Sequence, residues 1–367
     1  MVAGGIVDHL VIDVDGHTFE PDELWERYLP TRFHDRRPRL IRDDRGTTRY
    51  ALESRVIPPG TGRGAWVPEG MRESSVHREG AVDPKLRLED MDLEGIDIAV
   101  LYGVVSLGFY AMEDRELCIA CCRAYNDWLA DYCSESPRLL GAGLLAPHDV
   151  DAAVDEVQRC IESLGFATVF MLPGLVNGRA WSDCAYDPIW RACEQLDVPV
   201  CFHGGGQNYL RPDYTLEFDD LMTWHTFGQP IGIMAVTASI TAGGVLQRFP
   251  QLRVGLLEGN CGWAPWLLDR LDEHWEWVGD KDAPELDRAP SEYFRSNCFL
   301  SIEADERPAR YYVDWFGNDN LVFSTDYPHG DSKFPESVSA FLELPIDEDT
   351  KRKALWDNWC RLYGRSS

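Results

Sequence analysis

Eight short apolar runs recur along the chain, at 9–14, 96–102, 139–145, 167–172, 198–202, 252–257, 298–302 and 320–324. Each is rich in Val, Ile, Leu and Phe and is bounded by Gly, Pro, Asp or Asn, as strands buried on both faces are. Helical stretches separate them. Residues 113–134 carry Leu117, Ala120, Ala124, Trp128 and Ala130 as an approximately helical apolar stripe. Residues 151–164 do the same with Ala152, Val154, Val157 and Ile161, and 263–277 opens with a Pro that a first helical turn tolerates. Eight parallel-type strands alternating with helices predict a (β/α)8 TIM barrel rather than an open doubly wound sheet. No glycine-rich dinucleotide fingerprint follows the first run, since Gly60, Gly62 and Gly64 fall in a Pro-rich loop.

The 367 residues are therefore expected to form one domain, 1–367, with two insertions that break the rhythm. The first, near 18–83, predicts a small β excursion and a mobile loop near 58–70. The second, near 207–227, follows the fifth run and is rich in aromatic and acidic residues. Insertions after barrel strands lie on the face where such folds build their sites, so both are candidate substrate walls.

Lys and Arg number 35 against 62 Asp and Glu, a formal charge of −27. That balance excludes a duplex-binding surface, which needs a cationic face, and a polybasic membrane anchor. A small molecule is the expected partner. No apolar run is long enough to span a bilayer, and the N-terminus lacks a basic segment followed by a long apolar one. The eleven cysteines are an odd count, and Cys118, Cys121, Cys122, Cys201 and Cys298 sit inside helical or strand-like runs. Buried reduced thiols in a cytoplasmic protein explain this better than a disulfide framework.

Chemistry in a barrel of this kind collects at the carboxyl ends of the strands. The first run leads into Asp13-Val-Asp15-Gly-His17, and residues two apart in a strand point the same way, so Asp13, Asp15 and His17 are expected to share a face. The fifth ends Phe202-His203-Gly204-Gly205-Gly206, the sixth Leu257-Glu258-Gly259-Asn260, and the eighth Ser324-Thr325-Asp326-Tyr327-Pro328-His329. Carboxylates and imidazoles gathered from separate strands suit one divalent transition metal, Zn²⁺ first and Mn²⁺ second.

In combination these motifs, with Asp13-Val-Asp-Gly-His-Thr-Phe-Glu-Pro21 at the start and Leu257-Glu-Gly259 before Trp263, resemble the amidohydrolase superfamily. The resemblance is to the branch of aminocarboxymuconate-semialdehyde decarboxylase and the resorcylate-type decarboxylases, and it runs from Asp13 to the ending Asn358-Trp-Cys-Arg-Leu-Tyr363. It implies a barrel with a mononuclear metal, the first-strand ligand pair falling on Asp15 and His17, the fifth-strand ligand on His203 and the eighth-strand Asp on Asp326. Many members end the sixth strand in a His, where this chain has Glu258. A carboxylate cannot donate as an imidazolium can, so Glu258 is read as an additional ligand, a base or a partner for a substrate donor.

Two mechanisms use the same ligands. In hydrolysis of an amide, lactone or C–C bond, the metal activates water and Asp326 takes its proton. In non-oxidative decarboxylation of an aromatic or enoic acid, the metal binds the carboxylate and Asp326 protonates the carbon left by CO₂. Glu258 tilts the reading towards hydrolysis, with decarboxylation as the alternative and a catalytically silent binding barrel as a third possibility. Trp224, His225 and His329 are candidate substrate contacts. Arg27, Arg32, Arg36 and Arg37 are expected on a solvated face, and His9 and His274 are expected to be inert. Relatives commonly form dimers, which implies a homodimer here, and Trp263, Trp266, Trp275 and Trp277 are read as packing or subunit contacts.

Overall fold

The computed structural model describes residues 7–42, 48–57, 78–205 and 221–365. The Gly60 to Gly64 loop and most of the second insertion lie outside them. Strand β1 (Ile12–Thr18) is followed by three short strands, β2 (Arg39–Arg42), β3 (Thr48–Leu52) and β4 (Arg55–Ile57), which pair antiparallel in a sheet of their own. Seven further strands continue the main sheet: β5 (Ile98–Gly103), β6 (Leu139–Leu144), β7 (Thr168–Met171), β8 (Val200–His203), β9 (Val254–Leu257), β10 (Cys298–Glu303) and β11 (Leu321–Ser324). The order is β1-β5-β6-β7-β8-β9-β10-β11, every ladder is parallel, and helices surround it as a (β/α)8 barrel requires. β7, β8, β9 and β11 are buried at every position, which is why their sequences read as unbroken apolar runs.

Short polar caps place the helices. Asp83 accepts from the backbone of Lys85 and Leu86 ahead of the helix Pro84–Glu94, and Gly95 ends that helix at φ 79°. Asp114 and Asp149 cap the helices Arg115–Cys133 and Val150–Gln158 in the same way. All eleven cysteines are free thiols, and Cys184 alone is exposed.

β1 departs from the simple alternation expected of it. It runs on to Thr18, and its pairing with β5 slips between Asp13 and Gly16: Asp13 faces Ala99, yet Gly16 faces Leu101. Three steps on β1 match two on β5, a bulge. Asp13 therefore does not share the face of Asp15 and His17. Its carboxylate accepts from the backbone N–H of Asp15 (3.1 Å) and of Thr325 (3.1 Å) and from the Thr325 hydroxyl (2.7 Å).

The same residues close the barrel. No ladder joins β11 to β1 among the described residues; the seam is held by Asp326 N–H donating to Asp15 C=O (3.1 Å) and His17 N–H to Tyr327 C=O (2.6 Å). Arg87, fully buried on the helix Pro84–Glu94, donates to the His17 carbonyl (2.8 Å) and lies 4.2 Å over the Tyr327 ring. Its guanidinium stands 3.9 Å from Asp13 and supplies the charge that an otherwise uncompensated buried carboxylate needs.

Glu94, at the end of that helix, accepts from Ser337 N–H (3.1 Å) and is 2% exposed. Burial, aided by the nearby Asp13 carboxylate, pushes its carboxyl up from 4.5 to about 7. The folded chain holds this proton through a range in which the unfolded chain has released it. Stability should therefore fall as pH rises from 4.5 to about 7 and level off above, by at most about 3 kcal/mol from this group. Urea midpoints measured across that range should decline less steeply in Glu94→Gln than in the parent; equal slopes would remove Glu94 as the cause.

The four arginines of the first insertion stay on the surface. Arg27 pairs with Asp131 (3.0 Å), Arg32 with Glu116 (3.4 Å), Arg36 with Glu53 and Asp114 (2.5 and 2.7 Å) and Arg37 with Glu26 (3.8 Å). His9 bonds to the neighbouring Leu10 carbonyl and His274 to the carbonyl one helical turn before it.

Candidate metal centre and active site

β1, β8, β9 and β11 deliver their polar ends to one place. His203, the last residue of β8, points Nε2 at Asp15 Oδ1 (3.0 Å) and at His17 Nε2 (3.3 Å). His17 Nε2 lies 3.8 Å from Asp15 Oδ1 and 3.1 Å from Asp326 Oδ1. Asp15, His17 and His203 are fully buried. Two groups of ligand atoms thus share His17: Asp15, His17 and His203 on one side, and His17, Asp326 and His329 on the other. Tyr102 packs below, its ring 5.2 Å from that of His203.

The donor set fits a divalent ion. Bonds of about 2.1 Å at tetrahedral to octahedral angles leave ligand atoms about 3.0–3.4 Å apart, close to the spacings here. Two imidazoles whose Nε2 atoms are 3.3 Å apart cannot both carry a proton there, and a cation satisfies both lone pairs. His17 Nδ1 and Asp15 Oδ2 form no hydrogen bond among the described residues, and Asp15 Oδ1 has only the His203 ring (3.0 Å) and the His17 ring (3.8 Å) as ion-pair neighbours. Burial that is unpaired to this degree is costly for a carboxylate without a cation.

Charge in the cluster is unevenly shared. Burial and the neighbouring His329 push His17 down to about 4. Burial also acts on His203, but the Asp15 and Glu258 carboxylates outweigh it and lift the ring to about 10. Burial would raise Asp326, yet His329 and His17 hold it below the usual carboxylate range. Glu258 is raised to about 8, chiefly by burial, with His203 opposing.

Backbone strain marks the same spot. Glu258 (φ 51°), Asn260 (φ 56°) and Asp326 (φ 55°) are left-handed non-glycine residues at the ends of β9 and β11. Such conformations cost about 1 kcal/mol or more each and gather where side-chain aim matters more than stability.

Asp15, His17, His203 and Asp326 therefore meet as the strand ends suggested. Glu258 is beside them but not in either ligand group: its Oε2 lies 3.1 Å from His203 Nδ1, behind the ring, and its Oε1 accepts from Gln229 Nε2 (2.5 Å). His329 Nδ1 bonds Asp326 Oδ1 (2.6 Å), a tie to the candidate ligand rather than to the loop alone. Trp224 and His225, expected in a loop, fall in the helix Leu221–Thr241, and the Trp224 side chain lies outside the described residues. His225 reaches the site through Gln229, their Nε2 atoms 3.3 Å apart. Gln229 was not singled out from the sequence, although its spacing of one helical turn from His225 was visible there. Asp13 is the other omission of role, because a bulge leaves no mark in the alternation of residue types.

Parallel strands closed into a ring, with imidazoles and carboxylates converging at their carboxyl ends, define a (β/α)8 enzyme built to bind a metal. The chain belongs to the amidohydrolase family, matched over residues 12–365. It is 30% identical over 294 residues to the 2-amino-3-carboxymuconate-6-semialdehyde decarboxylase of Dictyostelium discoideum, covering 77% of each chain. It is 31% identical over 265 residues to the gamma-resorcylate decarboxylase of Rhodococcus jostii, covering 66% of this chain and 76% of that one. The 5-carboxyvanillate decarboxylase of Novosphingobium aromaticivorans, crystallised with manganese and 4-hydroxy-3-methoxy-5-nitrobenzoic acid, shares the fold. Its TM-score is 0.72 at 23% identity over 98% of this chain and 97% of that one. Relatives named as decarboxylases favour a carboxy-lyase over the hydrolase that Glu258 suggested from the sequence. They also set aside a catalytically silent barrel.

Proposed function

We propose that this protein is a metal-dependent, non-oxidative decarboxylase of an aromatic or enoic carboxylic acid, built as one barrel domain. The observation that carries the reading is Asp326, held between His17 Nε2 (3.1 Å) and His329 Nδ1 (2.6 Å) at the ligand cluster, in a chain whose relatives are named decarboxylases. Asp15, His17, His203 and Asp326 would hold one divalent ion. Bound there, such an ion supplies Lewis-acid attraction for the substrate carboxylate and a neighbouring hydroxyl or oxo group. A set of two imidazole nitrogens and two carboxylates suits manganese or zinc, and the manganese in a relative of the same fold favours manganese.

The reaction breaks the bond between the ring or chain carbon and its carboxylate, leaves the electron pair on that carbon, and needs one proton in place of CO₂. Asp326, ionised at rest, delivers it by taking a proton from the His329 imidazolium and passing it to that carbon. Burial would lower that imidazolium, but the Asp326 carboxylate lifts it to about 9. Glu258 stands behind His203 as a second catalytic-site carboxylate, and His225 and Trp224 begin the helix that walls that side. His329 forms part of the opposite wall.

We also infer a cytoplasmic homodimer. Eleven free thiols support a reducing compartment, and no helix among the described residues is long and apolar enough to cross a membrane. Trp266, Tyr311 and Trp315 are 60%, 72% and 61% exposed on neighbouring helices, apolar area that a second copy would cover. Release of CO₂ from hydroxybenzoates by the manganese-loaded protein, abolished by chelation and restored by the ion, tests the reaction. Hydrolysis of amides or lactones without CO₂ release from any acid would overturn it.

A further inference from the structure

Behind His203, two buried acceptor atoms accept no hydrogen bond among the described residues. Gln229 turns its amide NH₂ towards Glu258, 2.5 Å from Oε1. Its carbonyl Oε1 must then point away from Glu258. That oxygen is buried and has no hydrogen-bond partner among the described residues. Glu258 Oε2, on a side chain 6% exposed, is in the same condition. Its one close neighbour, His203 Nδ1 at 3.1 Å, is already bonded to the Gly204 carbonyl at 3.0 Å.

Beside Gly205 the backbone leaves a Cβ-sized space against the buried Gln229 Oε1. A Cβ on Gly204 would stand 2.5 Å from the Glu258 carbonyl and 3.1 Å from Gln229 Oε1; one on Gly205, where φ is 90°, would be 3.6 Å from that oxygen and 3.9 Å from Leu107. A larger residue at Gly204 would press against the Glu258 backbone, and one at Gly205, besides its left-handed strain, would fill the space beside Gln229 Oε1. The result is two acceptors on residues tied to each other through the Gln229 amide, one of them beside the imidazole of His203.

We propose that Glu258 and Gln229 form a substrate-reading pair that selects carboxylic acids carrying an amino or hydroxyl donor on the side facing His203. Gln229 is the specificity-determining residue of this pair. The inference rests on the decarboxylase reading for the acid but not for the donor. Two buried acceptors without donors are expensive to leave unmet, so a ligand supplying N–H or O–H there gains over one that cannot. A methoxy group of similar size offers only acceptors and meets two oxygens with a third.

The test is binding to the manganese-loaded, full-length protein, followed by tryptophan fluorescence. The ligands are salicylates bearing amino, hydroxyl or methoxy at each of ring positions 3 to 6, with CO₂ release measured in parallel. At one position the amino or hydroxyl ligand should bind about tenfold or more tighter than its methoxy counterpart. In Gln229→Met that preference should shrink to about threefold or less. Should the Met variant fail to fold, Gln229→Asn, which withdraws the acceptor by one methylene, serves for the same comparison. Donor preference at no ring position, or a preference of the same size in the variants, would overturn the proposal. Donor preference lost in the variants but without CO₂ release from any ligand would sustain the acceptor pair while counting against decarboxylation.

Discussion

Replacing Asp326 with Asn is expected to lower CO₂ release by about 10³-fold or more while the fold survives. The choice of Asn follows from the backbone. Asp326 sits at φ 55°, a conformation that Asn tolerates far better than most residues. The amide oxygen can still accept from His329 Nδ1, so the 2.6 Å link and the seam contact to Asp15 both persist. What the amide cannot do is carry an acidic proton to carbon. Metal content measured on the same sample separates loss of the proton donor from loss of the ion. Thermal unfolding within a few degrees of the parent reports the fold. Turnover comparable to the parent would remove Asp326 from the chemistry.

His203→Ala should have the larger effect on the ion itself. His203 Nε2 is within 3.0 Å of Asp15 Oδ1 and 3.3 Å of His17 Nε2, so its removal opens one whole side of the ligand group. Even residues that only orient a ligand change metal affinity 10- to 100-fold, and loss of a ligand should exceed about 100-fold. After dialysis against a weak chelator, the variant should retain well under about a fifth of the parent's metal on this estimate of affinity loss. An unchanged stoichiometry would contradict the role of His203. The two variants divide the labour: Asp326→Asn keeps a neutral oxygen for the ion and should lose turnover far beyond its loss of metal, whereas His203→Ala should lose both.

The strained mouth of the barrel connects these expectations. Asp326 and Glu258 occupy left-handed backbone, and the segments flanking Asp326 at the seam are fixed by residues with no reactive role: Asp13 bonds Thr325, and Arg87 bonds the His17 carbonyl. Asp13 binds the backbone on both sides of the seam, so the position of Asp15 relative to Asp326 depends on a carboxylate that touches neither substrate nor ion. Glu258 is aimed behind His203 and is tied to a helix residue, not to the ligand group.

Much was legible in the linear order of residues. Strands buried on both faces must be apolar throughout, so all eight appeared as uninterrupted runs, and the residues that follow them named Asp15, His17, His203, Glu258 and Asp326 as the polar ends of a barrel. The three-dimensional arrangement alone decided how those ends face one another. A bulge between Asp13 and Gly16 turns Asp13 away from its expected neighbours, and nothing in a period of two foretells where that period slips. Gln229 comes to Glu258 from a helix 29 positions earlier in the chain, a contact set by packing rather than by spacing. Residue type determines burial and periodicity locally, whereas the aim of a side chain belongs to whatever the rest of the chain brings against it.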